Sequence, residues 1–315
     1  MSFFQPSEVL FADEFSRPLF NMGPYDNAAM ARNLELARAT GPVPDIDWSQ
    51  YFGAGAYFTP TLNGREAISL AIADLGLAAT DEILIKTTSC SRYVSSCITQ
   101  IISRYCRWSR RLSKCTRAIF VVHEFGFPAR LSRDLRATGL PIIEDCAYAL
   151  GSQDQQGTVG RIGDYVIYSF SKAFPMPYGG LLKSRRPAIY ASALSAAAQD
   201  QLPRLVAYYL SNLATACRLR CEFYDEYRDR FAAEGFRPLF KPGPRVVPHS
   251  FIVAMPDQKT AEAMKPQLCS AGINSSVFYG GGGYFLPNHQ SLSKAAIDYI
   301  VAHFVTAFNR AARLQ

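Results

Sequence analysis

Lysine is scarce in this chain of 315 residues: only eight of its 33 basic side chains are lysines, so arginine is the default cation and each lysine invites a reason. Long apolar runs are missing as well. No window of eighteen uninterrupted apolar residues occurs, which excludes a simple membrane-spanning helix and leads us to expect no membrane partner. The opening "MSFFQPSEVLFADEF" has no basic leader followed by an apolar core and a small-residue cleavage site, so a cytoplasmic location is expected. The eight cysteines form no C-x-x-C pair and no Cys/His cluster at zinc spacing; free thiols and no metal are expected. No G-x-G-x-x-G follows the first strand-like run, which disfavours a dinucleotide-binding dehydrogenase. Gly280 to Gly283 lacks the G-x-x-x-x-G-K-[ST] pattern and reads as a flexible loop.

The balance of charge is positive, +7 with a pI near 9.0. Its one dense basic run, "CRWSRRLSKCTR", is too short for a nucleic-acid groove, so no nucleic-acid partner is expected. A solvated helix face, or a general bias toward phosphorylated small molecules, explains the surplus better.

What is present is a folded α/β chain. Hydrophobic residues make up 49% and charged residues 19%, enough for a full core in one large and one smaller domain. From Leu62 helix-like and strand-like segments alternate, which predicts a mostly parallel sheet. "GREAISLAIADLGL" has a helical period, "DEILIK" reads as a buried strand, and "SRYVSSCITQIISRYCRW" as a helix. Strands are then expected in "RAIFVVHEFG", "LPIIEDCAYALGS", "DYVIYSF" and "GGLLKS", with a short helix in "SRDLRATG". After Arg186 one long or two consecutive helices are expected, with Pro203 near a helix start, followed by strand, helix, strand and helix. The domains are set at 1–205, with an N-terminal segment, and 206–315, with a linking helix.

Residues just beyond the strands are the candidates for chemistry, because ligands of open parallel sheets bind outside the carboxyl ends of the strands. They include Gly64-Arg65-Glu66, Ser91-Arg92-Tyr93, His123-Glu124, Glu144-Asp145 and the run Ser169 to Lys172. A lysine amine so placed can form a Schiff base with a carbonyl if burial or a nearby cation keeps part of it neutral. Pyridoxal phosphate (PLP) fits the remaining set. A helix opened by Gly64 would face its phosphate, Ser169 would donate to it, Asp145 would pair with the ring nitrogen, and Tyr93 would stack on the ring. Each residue also has a plainer use. Lys172 can snorkel to solvent, Asp145 can cap a turn, Tyr93 can belong to a core, His123 can serve a turn, and His289 can cap the helix near Ser293.

The stretches "LNGREAISLAIADLGLAATDEILI", "VVHEFGFPARL", "PIIEDCAYALGS", "GDYVIYSFSKAFPMPYGGLL" and "LPNHQSLS" resemble the DegT/StrS sugar aminotransferases, PLP-dependent enzymes of fold-type I. The resemblance implies a large domain with a mostly parallel central sheet and a small C-terminal α+β domain. It implies Lys172 as the Schiff-base lysine, Asp145 as partner of the pyridine nitrogen, and Gly64, Arg65 and Ser169 as phosphate ligands. Tyr93 takes the ring-stacking place, and Tyr148 stands by the cofactor hydroxyl where the family often has Gln. The Asn- and Arg-containing loop usual in the family after the strand ending near Lys183 is not found, and "SFSK" is two residues shorter than usual. The resemblance further implies a homodimer that aminates a keto-sugar nucleotide, with glutamate as donor, in polysaccharide or secondary-metabolite synthesis. A PLP enzyme acting on a non-sugar substrate, and a catalytically degenerate member with a binding or regulatory role, are the alternatives.

Overall fold

The computed structural model describes residues 19–187 and 189–313; the opening stretch read above for a leader lies outside them. The first half runs α1 (Asn27–Arg38), α2 (Trp48–Phe52), β1 (Tyr57–Thr61), α3 (Gly64–Leu75), β2 (Glu82–Thr87), α4 (Ser96–Ile102), β3 (Arg107–Ser109) and β4 (Thr116–Val122). A 3-10 turn over Glu124–Gly126 leads to α5 (Arg133–Ala137), β5 (Ile142–Asp145), β6 (Tyr165–Ser169), α6 (Phe170–Ala173) and β7 (Gly180–Ser184). The chain continues through α7 (Ala196–Ser211), α8 (Leu213–Ala233), β8 (Ser250–Ala254), α9 (Gln258–Ser270), β9 (Ser276–Phe278), β10 (Gly283–Pro287) and α10 (Lys294–Arg313).

Seven strands form one sheet in the order β1-β7-β6-β5-β4-β2-β3. β2 to β6 pair in parallel, while β7 runs antiparallel to both β6 and β1. The reason β6 reads as a continuous apolar run is visible in its packing. Tyr165 and Ile167 join the core beneath α3 and α4, whereas Val166 and Tyr168 join the core under α2 and α7. Each such fully buried aromatic or aliphatic side chain contributes roughly 1.5–3 kcal/mol. A second, antiparallel sheet of order β8-β10-β9 is covered by α8, α9 and α10, with Tyr227, Phe231, Phe251 and Phe304 at its centre. Among the described residues no helix is long and apolar enough to cross a membrane.

Several expectations need correction. The helix read across "SRYVSSCITQIISRYCRW" is confined to α4, and Arg107–Ser109 instead forms edge strand β3. Its first residues are diverted by local bonds, Ser91 N–H to Ser89 Oγ (3.1 Å) and Tyr93 N–H to Ser91 Oγ (3.2 Å), which compete with helix formation. The stretch Gly280 to Gly283 is not all loop, since Gly283 opens β10 opposite Ala254 and Phe278. Pro203 sits inside α7, which begins seven residues earlier behind the Ser195 cap. His289 caps nothing: Ser293 Oγ receives the Ala296 N–H, and buried His289 bonds Asn21 O through Nε2. The residue 205 boundary falls within α7, whose Leu202, Leu205, Val206, Tyr209 and Leu210 all belong to a core of the large sheet.

Candidate active site

Helix α3 is started by a reciprocal cap. Asn63 Oδ1 accepts the Glu66 N–H (3.0 Å) and Glu66 Oε2 accepts the Leu62 N–H (2.5 Å). The amides of Gly64 and Arg65 lie in the first turn, where no intrahelical acceptor exists, so this end favours an anion. Two glycines bring it to the sheet. A Cβ on Gly64 would stand 3.1 Å from Ser169 Cβ, and one on Gly180 would stand 2.6 Å from the Asn63 carbonyl carbon. Ser169 therefore ends β6 directly against the α3 start, with its Oγ 3.3 Å from Ser171 Oγ. The Arg65 side chain is exposed on the same turn.

Asp145 ends β5 in register with Val122 of β4 and Ile167 of β6. It is buried, and its Oδ1 accepts the Ala147 N–H at 2.9 Å, so the turn-cap use is real. Burial pushes its carboxyl up, against the pull of the Ala147 amide, His123 and Lys172. A carboxylate held this way is stabilised by any cation that reaches it. Its neighbour Glu144 points elsewhere: it accepts the Gly160 N–H (2.7 Å) and Gly163 N–H (3.1 Å) and meets His123 Nε2 at 2.9 Å. Because His123 Nδ1 accepts the Ala129 N–H, Nε2 carries the proton and donates to Glu144. His123, Glu144 and Cys146 approach within 4.8 Å of one another, but these hydrogen bonds already occupy both carboxylate oxygens and both ring nitrogens.

Lys172 projects from the single turn α6, with Nζ 5.0 Å from the centroid of the Tyr148 ring. Burial alone would lower its ammonium, but Tyr148, by charge and hydrogen bond, with Cys97 and Tyr25, carries it above the usual lysine value. The neutralising environment that a Schiff-base lysine needs is therefore not supplied by burial here. Tyr93 is exposed, with its ring against the backbone of Gly280.

Three residues that were not among the sequence candidates complete the surroundings. Tyr25 reaches across to donate its hydroxyl to Met176 O (2.5 Å), near Ser171 and Lys172. Arg220 of α8 is fully buried and donates to Asn288 O (2.7 Å), Ala173 O (3.0 Å) and Lys172 O (3.3 Å). Burial brings its guanidinium down to about 10. Gln290 Nε2 donates to Ala173 O as well. The available signal for the second of these was an arginine at helical spacing with Ala216, Phe223, Tyr224 and Tyr227, on the apolar face of α8.

The donor set suits PLP: free amides and a serine hydroxyl around a cradle that a Cβ would fill, a buried carboxylate one strand away, and a lysine on the following turn. The sequence profile of the DegT/DnrJ/EryC1/StrS aminotransferase family matches residues 107–202, which contain Asp145, Tyr148, Ser169 and Lys172. The chain is 27% identical over 152 residues to a GDP-perosamine synthase of Escherichia coli O157:H7, a match covering 42% of each protein. It is 31% identical over 147 residues to a GDP-perosamine synthase of Vibrio cholerae, covering 40% of this chain and 39% of that one. These matches thus span about two fifths of the curated relatives' length. The fold is shared with a Streptococcus pneumoniae protein solved in its PMP form, with TM-score 0.75, 17% identity, and coverage of 95% of this chain and 99% of that one. Over residues 107–202, the segment that holds Asp145 and Lys172, the chain is similar to the DegT/DnrJ/EryC1/StrS aminotransferase family, and its fold is that of the Streptococcus pneumoniae protein.

Proposed function

We propose that the chain is a PLP-dependent aminotransferase acting on a keto-sugar nucleotide. The observation that carries this reading is the convergence of the α3 start, Ser169, Asp145 and Lys172 at the carboxyl ends of β5 and β6. PLP, when bound, supplies an aldehyde for amine exchange and a ring that takes up electrons. The Gly64 and Arg65 amides and Ser169 Oγ would hold its phosphate, and Asp145 would keep its ring nitrogen protonated. That interaction also stabilises Asp145, whose ionised form burial disfavours. Lys172 would hold the cofactor aldehyde through Nζ, and its free amine would serve as general base and acid for the proton that moves during amine exchange. Tyr148 lies where its ring and hydroxyl orient that amine.

The keto-sugar nucleotide is supported by the names of the GDP-perosamine synthases and by the chain's positive surplus, which suits a diphosphate. Glutamate as donor, and a homodimer whose partner completes the site, are parts of the same proposal, as are the stacking role of Tyr93 and the phosphate role of Arg65. Incubation with PLP followed by borohydride reduction tests it. The cofactor mass should appear on the peptide bearing Lys172 and be absent in Lys172→Ala, and glutamate with a keto-sugar nucleotide should yield 2-oxoglutarate. An unlabelled Lys172 peptide would overturn the assignment.

A further inference from the structure

A cleft of about 810 Å³ opens between the segment following β4, the stretch 153–156, and the connection from α8 to β8. This volume is typical of small-molecule sites, and a junction between layers is where such sites concentrate. It contains none of the residues assigned to PLP. The two are kept apart by the His123–Phe127 segment, which sends Phe125 toward Tyr148 (centroids 6.2 Å) and Phe127 toward Phe240 on the cleft wall (4.9 Å).

The cleft's charge is one-sided. Arg130, Arg136, Lys241 and Arg245 line it, and all four side chains are exposed. Among the described residues none of the four donates a hydrogen bond or joins an ion pair, although other arginines of the chain do both. Asp154 is the one carboxylate in the lining, and both its oxygens are engaged by Thr158, Oδ1 by the N–H at 2.7 Å and Oδ2 by the hydroxyl. One carboxylate, held in its own turn, faces four cationic side chains, so the lining keeps a positive surplus. Four unpaired cations facing one concave volume focus a positive potential there, and the guanidinium fork matches phosphate oxygens. The floor is fixed, because Gln153 N–H donates to Arg245 O at 2.8 Å. Phe127, Pro128, Phe240 and Val246 add an apolar side that a bare anion would leave unused.

We infer that this cleft binds a small molecule carrying two or more phosphates on an apolar body, independently of the Lys172 site. The full chain, saturated with PLP, is titrated calorimetrically with inorganic pyrophosphate and with adenosine diphosphate. Both should bind saturably, adenosine diphosphate more tightly. Arg136→Gln with Arg245→Gln should weaken both by roughly tenfold or more, as expected for losing charged hydrogen bonds. These side chains are exposed and unpaired, so the variant should keep the wild-type Tm. Arg130→Gln with Lys241→Gln repeats the test from the other wall. Binding absent at millimolar ligand, abolished by PLP, or indifferent to both double variants would overturn the inference. Equal affinity for the two ligands would overturn the apolar half of it. A chain that takes up no PLP would fail the aminotransferase reading while leaving the comparison of wild type with the two double variants intact.

Discussion

The guanidinium of Arg220 donates to the carbonyl oxygen of Ala173 at 3.0 Å, so a residue of α8 holds the turn from which Lys172 projects. With Lys172 O and Asn288 O also bonded, three backbone acceptors depend on one side chain. Arg220→Met should therefore cost on the order of 3 kcal/mol or more, seen as a lower denaturation midpoint. Arg220→Lys keeps the charge but not the fork, and should regain part of the stability while still retaining PLP less well than wild type. Equal PLP retention in wild type and the lysine variant would show that the turn does not need the clamp.

Adjacent carboxylates should answer differently to the same change. Glu144→Gln places an amide against the Gly160 and Gly163 N–H groups and His123, and should cost about 2–4 kcal/mol of stability. Asp145→Asn should leave the melting temperature of the unliganded protein nearly unchanged, yet lower turnover by about 100-fold or more. Thermal melts paired with rates of glutamate-dependent amine transfer distinguish the two.

The approach of α3 to the sheet leaves no room for a methyl group. Gly180→Ala collides with the Asn63 backbone and should destabilise by about 3 kcal/mol, whereas Gly64→Ala meets Ser169 at 3.1 Å and should cost about 1 kcal/mol. Its larger effect should be on the dissociation constant for PLP, read by equilibrium dialysis.

Buried neutral histidines set a pH dependence. Burial, then Arg220, lowers His289 to about 3, and the same two causes press His249 well down. Unfolded, each titrates near 6.5, so below that pH the unfolded chain binds more protons and stability falls toward pH 3. The loss should be about 1.4 kcal/mol per pH unit for each histidine. Urea midpoints measured from pH 7 to pH 5 should decline, and His289→Gln should make the decline shallower.

Much of this was legible in the sequence because the burial is regular. "DYVIYSF" and "PIIED" are apolar on both faces, so β6, β5 and the residues at their ends were placed correctly. The helix from Gly64 announced itself by its period. What escaped was set by distant partners. Arg107–Ser109 becomes a strand only because β2 offers it an edge, as in the bond from Arg107 N–H to Asp81 O. Tyr25, Arg220 and Gln290 reach the Lys172 turn across separations of roughly 50 to 150 residues, which no local pattern records. The environment of Lys172 escaped for the same reason, since Tyr148 raises the ammonium that burial alone would lower.

Asn288 closes the arrangement around Arg220, donating through Nδ2 to Arg220 O (3.0 Å) and Pro248 O (2.8 Å) while its own carbonyl receives the guanidinium. The two sheets are consequently not interchangeable modules. A chimera that joins this large sheet to a relative's C-terminal portion would inherit a lysine turn with open carbonyls, unless the arginine, the asparagine and Gln290 were transplanted as one set.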